Sequence, residues 1–321
     1  MFIKNIKQRY FQNLLDSYIK NNDTDSIKKI LKSKFITNKN LNFDDFMNYI
    51  NLFASQQKFE NLFTKNLIWI NSFDKEDYSY VNNFLNDFLK SQNINFNKTE
   101  EYIQKLNEIR KTYSLQKINF DDLCKYSYAY QYLISEQDTD KFTLINSSSA
   151  FFETQNNFYF THYFLTKAYI YISRNPYSLL KKYKYVNGDE PNVNNMQGLL
   201  NGDHNCLKHN FENEENYVEE NIQSWSTNNS SWSNLNVINT FRGLVVNYKT
   251  LQNNTTDALS QVLSHLIQSG VKISLDYDFV ENFVNNNPFP QDNYGETSIS
   301  NNERKLLDRD NSKVMSLLNH K

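Results

Sequence analysis

Apolar side chains in the first half of the chain recur every three or four residues. Ile3, Ile6, Tyr10, Leu14 and Tyr18 make one such stripe, as expected for a helix with one buried face. Asn21, Asn22, Asp23 and Thr24 then end that helix and cap a second carrying Ile27, Ile30 and Leu31. Further stripes follow: Phe46, Met47, Ile50 and Phe53; Phe59, Leu62, Phe63 and Leu67; and, after Asp74, Val81, Phe84, Leu85 and Phe88. A sixth helix starts near Asn97 with Glu100 placed as in a capping box, and carries Ile103, Leu106 and Ile109. A seventh follows Asn119 with Phe120, Leu123, Tyr130 and Leu133. Residues 1–175 contain no glycine and no proline; all six Gly and all four Pro fall at or after Pro176. Hairpins need tight turns that favour those residues, so this span is expected to be helical throughout, with no sheet.

The second half reads differently. Residues 156–173 look helical and aromatic, and Pro176 sits where a new helix begins. Residues 187–203 read as a loop, 211–223 as a short acidic helix and 226–234 as another loop. Leu259, Val262, Leu263, Leu266 and Ile267 mark a helix closed by Gly270. Val271, Ile273, Leu275, Tyr277 and Phe279 then alternate with polar residues, the pattern of a strand, for which Leu244 to Tyr248 is the candidate partner. The expected fold class is mainly α. A helical bundle or irregular α-solenoid spans 1–175, and a mixed, loop-rich helical domain covers 176–283 with at most a small β element near 244–248 and 271–279. An extended arm with a terminal helix covers 284–321. Two helices open on the same tetrapeptide, Asn42-Phe43-Asp44-Asp45 and Asn119-Phe120-Asp121-Asp122, which hints at a helical repeat.

Composition changes the picture in three ways. Aromatics are 15% of the chain, so the core is expected to be built on Phe and Tyr. The 51 Asn beside only 5 Ala and 6 Arg follow codon bias and point to a very AT-rich genome, organellar, viral or plasmid, so Asn-rich stretches are not read as disorder. A net charge of −2 argues against a whole-protein polyelectrolyte role on nucleic acid. Cys124 and Cys206 suit free thiols in an intracellular, reducing compartment, with organelle or virion also compatible. The chain has no signal-peptide pattern and no uncharged apolar run of about 18 residues, so no transmembrane segment is expected.

Candidate chemistry is sparse. Asp203, His204, Cys206 and His209 lie within seven residues, but the spacing fits no closed zinc site, so no metal is expected there. The stretch 167–185 interleaves Lys167, Arg174, Lys181, Lys182 and Lys184 with tyrosines that include Tyr183 and Tyr185, and no acid occurs between Glu153 and Asp189. Cations that neutralise phosphate beside rings that stack on bases suit single-stranded RNA. An acidic run from Asp189 to Glu220 follows, read as a solvated face. Nucleophile-elbow, phosphate-loop, dinucleotide and kinase motifs are all missing, and no cofactor is implied. The expectation is a non-catalytic helical scaffold or accessory subunit that meets other protein subunits. The alternative is an RNA-binding protein or metal-independent ribonuclease that uses 167–185.

Overall fold

Leu67, Ile68, Trp69 and Ile70 are buried one after another, which a strand achieves only when both of its faces are covered. The computed structural model of the protein describes residues 2–32, 43–113, 120–151, 160–187, 199–200, 222–292, 294 and 298–320. In chain order the strands are β1 (Leu67–Ser72), β2 (Phe96–Asn97), β3 (Phe142–Ser147), β4 (Thr166–Ser173) and β5 (Gly243–Asn247). They form one sheet in the order β2-β3-β1-β4-β5, with every neighbouring pair parallel. The helices are α1 (Phe2–Lys20), α2 (Thr24–Lys32), α3 (Phe43–Ala54), α4 (Lys75–Ser91), α5 (Thr99–Tyr113), α6 (Phe120–Gln137), α7 (Pro176–Asn187), α8 (Trp225–Trp232), α9 (Leu235–Phe241), α10 (Tyr248–Asn253), α11 (Thr255–Gln268), α12 (Tyr277–Asn286) and α13 (Asn301–Leu317).

This α/β architecture overturns the expectation of a helical bundle or solenoid with at most a small β element. Four of the five described strands lie inside 1–175. The reason is physical: parallel strands are joined by helical crossovers rather than hairpins, so a sheet of this kind needs no Gly or Pro turns. The alternation at 271–279 is not a strand. Asp276 accepts a hydrogen bond from the Phe279 amide at 2.9 Å and caps α12, which buries Val280 and Phe283. The other half of that expected pair, around 244–248, is a strand, but β5 pairs with β4. Residues 166–173, expected to be helical, are β4, and much of the expected loop at 226–234 is α8.

Two apolar layers flank the sheet. Leu67, Trp69, Ile145, Tyr169 and Tyr171 face a core shared with α1, α2, α3, α5, α6, Trp232 of α8 and Phe241 of α9. Ile68, Ile70, Leu144, Ala168, Ile170, Ile172 and Val246 face the other, made with α4, α10, α11 and α12. A smaller cluster gathers Phe73, Leu179, Leu180, Trp225, Leu307, Val314 and Met315, and so docks α13 against α7 and α8. The segment that leads to α13 also touches α4. Tyr80 donates to the Asn287 carbonyl at 2.7 Å, and its ring meets Phe289 edge-on. Among the described residues no helix is long and apolar enough to cross a membrane.

Candidate ligand site at the carboxyl end of the sheet

Chain direction singles out one place on this sheet. From β1 the chain leaves toward β2 and β3, and from β4 it leaves toward β5, so the crevice between the carboxyl ends of β1 and β4 is a topological switch point. Arg174, the residue after β4, spans it. Its Nη1 donates to Asp77 in the first turn of α4 at 2.7 Å, and both side chains are buried. Its Nη2 reaches Asp292 at 2.6 Å, its Nε reaches Ser178 at 3.0 Å, and its guanidinium lies 4.1 Å from the Tyr248 ring centre. Alongside, Lys182 of α7 pairs with Asp74 and Glu76, each at 2.8 Å. Asp74 also caps α4 by accepting from the Glu76 amide at 3.0 Å. Burial pushes the Asp77 carboxyl up to about 7, with Arg174 working against that and Asp74 adding to it. Burial works against the Lys182 ammonium too, but Asp74 and Glu76 outweigh it and leave its pKa raised.

Among the described residues, the opposite face of the same strand ends is uncharged. Ser147, Asn71, Tyr171, Ser173 and Asn247 form a polar row across β3, β1, β4 and β5, as the register requires. α8 covers this row. Asn228 accepts from the Tyr171 hydroxyl at 2.8 Å and Asn229 accepts from Ser173 at 2.6 Å. His320 reaches Ser173 through Nε2 at 2.8 Å and Asn247 through Nδ1 at 3.2 Å. The amide of Asn71, fully buried, has no hydrogen-bond partner at either atom among the described residues. At the β5 end the row opens into a cleft of about 650 Å³. Ser173, Asn247, Lys249, Thr250, Asn253 and Asn254 supply its polar wall, and Leu235, Ile238, Val245, Leu317 and Leu318 its apolar wall. Among the described residues no carboxylate lines it.

The residues singled out in the sequence fall in several places. Lys167 stands at the amino end of β4, about 20 Å from Arg174 at strand spacing. Burial lowers its pKa, with Arg242, Lys65 and Lys272 adding repulsion. Arg174 and Lys182 pair with Asp77 and Asp74 around the start of α4; Lys184 pairs elsewhere, with Glu303 of α13 at 3.0 Å. Tyr183 is partly buried, its phenol pushed up by burial and then by Asp74 and Asp77. Lys181 is half-buried and Tyr185 exposed. His204, Cys206, His209 and the acidic run lie outside the described residues, except that no group of acids, histidines or cysteines fit to hold a metal occurs among the residues described. Sequence reasoning passed over Asn71, Asp77, Ser173, Asn228, Asn229, Asn247 and Asp292. In a chain with 51 Asn, an asparagine carries no local signal. No protein-family model matches this chain, and no curated protein matches it.

Proposed function

We propose that the protein binds a small, polar organic molecule bearing hydroxyl and phosphate groups, such as a nucleotide, in the cleft at the carboxyl ends of β4 and β5. One observation carries this reading: the cleft opens at the carboxyl ends of parallel strands, one strand from the switch point, and its described walls are amides, hydroxyls and one lysine, without a carboxylate. Amides and hydroxyls offer both donors and acceptors to ligand hydroxyls, and Lys249 offers a cation to an anionic group. The aliphatic wall suits the unsubstituted face of a ring. Thermal unfolding in the presence of nucleosides, nucleotides, monosaccharides and sugar phosphates tests the proposal. A ligand at 100 times its dissociation constant adds about 2.7 kcal/mol, a shift of several degrees. Lys249→Glu should remove the shift given by phosphate-bearing members without lowering the unliganded melting temperature. If no compound raises that temperature, the reading is wrong.

A second reading, a subunit of a larger assembly, draws support from Leu235 and Leu317, which stand 74% and 64% exposed at the mouth of this cleft. Large aliphatic side chains held that far into water favour a covering partner. Sedimentation of the wild-type chain and of Leu235→Ser with Leu317→Ser distinguishes an associating surface from a ligand wall.

A further inference from the structure

Behind β4, on the face away from the cleft, a donor cluster built by the body of the fold converges on a carboxylate brought from a distant segment. Asp292 Oδ1 accepts from Arg174 Nη2 at 2.6 Å, from the Tyr248 hydroxyl at 3.2 Å and from the Tyr294 hydroxyl at 2.9 Å. Its Oδ2 accepts from the Ser178 hydroxyl at 2.7 Å. Three of those donors belong to the sheet end, α7 and α10; only Tyr294 comes from the segment that carries Asp292. We infer that Arg174, Ser178 and Tyr248 form an oxyanion-binding site for an external phosphate or carboxylate group, and that Asp292 fills it as an internal surrogate.

Asp292 is the outer of two carboxylates that Arg174 holds. Arg174 is already matched by Asp77 at 2.7 Å and Lys182 by Asp74 at 2.8 Å. Glu76, which also touches Lys182, is 69% exposed and solvated, so Asp292 is a second carboxylate on one buried guanidinium. The donors keep their places without it. Ser178 accepts from Arg174 Nε, Asp77 holds Nη1, and the Tyr248 ring lies against the guanidinium plane. A route exists at the same point: the Arg174 side chain is 2% exposed but that of Asp292 is 20%, so the carboxylate enters from the solvent side. It arrives on a stretch without helix or strand, after Pro288 and Pro290. The site also bridges the switch-point crevice, where such sheets take ligand groups. This inference is independent of the cleft proposed above.

The test uses the full chain with Asp292→Ala, and Asp292→Asn in case the alanine variant does not fold. Inorganic phosphate, acetate and chloride are titrated at matched ionic strength, followed by melting temperature and calorimetry. Expected is phosphate or acetate binding at least tenfold tighter in the Asp292 variant than in wild type, with chloride inert. Adding Ser178→Ala and Tyr248→Phe should weaken that binding about tenfold. Preference for phosphate identifies a phosphate ester as the natural group, and preference for acetate a carboxylate. In wild type, saturating anion should speed proteolytic cleavage between 287 and 300 as Asp292 is displaced. Equal responses of both Asp292 variants to all three salts, or anion binding indifferent to Ser178 and Tyr248, would overturn the inference and leave Asp292 a structural partner of Arg174.

Discussion

Ser173 Oγ lies 2.8 Å from His320 Nε2, the separation of a serine nucleophile from its general base, but the hydrogens run the wrong way. Asn247 Oδ1 accepts from the Lys249 amide at 2.9 Å, so its Nδ2 is the atom that faces His320 Nδ1. Nδ1 is therefore an acceptor, and the imidazole hydrogen sits on Nε2, pointing at Ser173. Ser173 in turn donates to Asn229 Oδ1, whose own Nδ2 is turned to the Trp225 carbonyl at 3.0 Å. The serine hydroxyl thus accepts from the histidine that would have to deprotonate it. A fluorophosphonate probe should leave Ser173 unlabelled, and stoichiometric labelling there, detected by peptide mass, would refute this assignment.

Two buried histidines set a pH dependence. Burial pulls His320 down to about 4; it does the same to His162, to about 4, with Lys65 adding repulsion. Both folded values lie below the ordinary value of about 6.5. Above that pH neither state binds the proton and the stability is fully present. Between about 6.5 and 4 the unfolded chain takes up protons that the folded chain refuses, so stability falls as pH falls. Each histidine contributes about 1.4 kcal/mol per pH unit in that window. Asp77 works in the opposite sense, since burial raises it to about 7 and its folded form takes up a proton first. Urea midpoints measured from pH 7 to 4 should decline in wild type and decline less steeply in His320→Gln. An unchanged slope would show that His320 is protonated in the folded chain.

Lys182 and Asp74 are each 9% exposed at the side chain, which makes their bridge a buried one. Removing one partner of such a pair leaves an uncompensated charge and costs about 3–5 kcal/mol. Lys182→Met should approach that loss, because it strips the ammonium from the carboxylate that caps α4. Adding Asp74→Asn keeps a capping side chain and removes the stranded charge, so the double variant should recover much of the loss. Chemical denaturation of the four members of this cycle gives the coupling directly. A loss below about 1 kcal/mol in Lys182→Met would mean that Asp74 finds water instead.

Some of this structure is legible in the chain and some is not, for identifiable reasons. The start of α4 after Asp74 and its apolar stripe of Val81, Phe84, Leu85 and Phe88 are local, and they stand as expected. So does α11, which ends before Gly270, a glycine that adopts φ +83°. The strands are not local. Leu67 fits the helical stripe begun by Phe59, Leu62 and Phe63, and a strand buried on both faces shows no alternation to contradict it. At 271–279 the alternation exists, but Asp276 offers a better local use of the backbone as a cap. The stretch 167–185 looked basic because no acid lies near it in sequence. Asp74, Asp77, Asp292 and Glu303 reach it only through the fold.

Gly243 opens β5 directly over Tyr169, and a Cβ at that position would fall 2.1 Å from the tyrosine Cζ. The ring has little room to yield, since its hydroxyl donates to the Trp232 carbonyl at 2.6 Å. Gly243→Ala should therefore strain the β4–β5 pairing and cost about 1–3 kcal/mol by overpacking. The same substitution should cost less in a Tyr169→Ala background, where the obstructing ring is gone. Additive effects in that cycle would place the strain elsewhere.

Asn71 offers the sharpest test of what the sheet end is built for. It lies on the central strand between Ser147 and Tyr171, fully buried, and among the described residues neither its carbonyl nor its amino group meets a partner. Tyr171 and Ser173 beside it are satisfied by Asn228 and Asn229, so the covering helix supplies polar partners to its neighbours and none to it. An unsatisfied buried polar group costs about 1–3 kcal/mol, and an apolar residue of the same branched shape removes that cost. Asn71→Leu should therefore unfold at higher urea than wild type, by about 1 kcal/mol or more. A residue that lowers stability where a hydrophobic one would raise it is held there for a purpose other than folding. If instead Asn71→Leu loses more than about 1 kcal/mol, the amide is stabilising the sheet end, and its polarity is explained by packing alone.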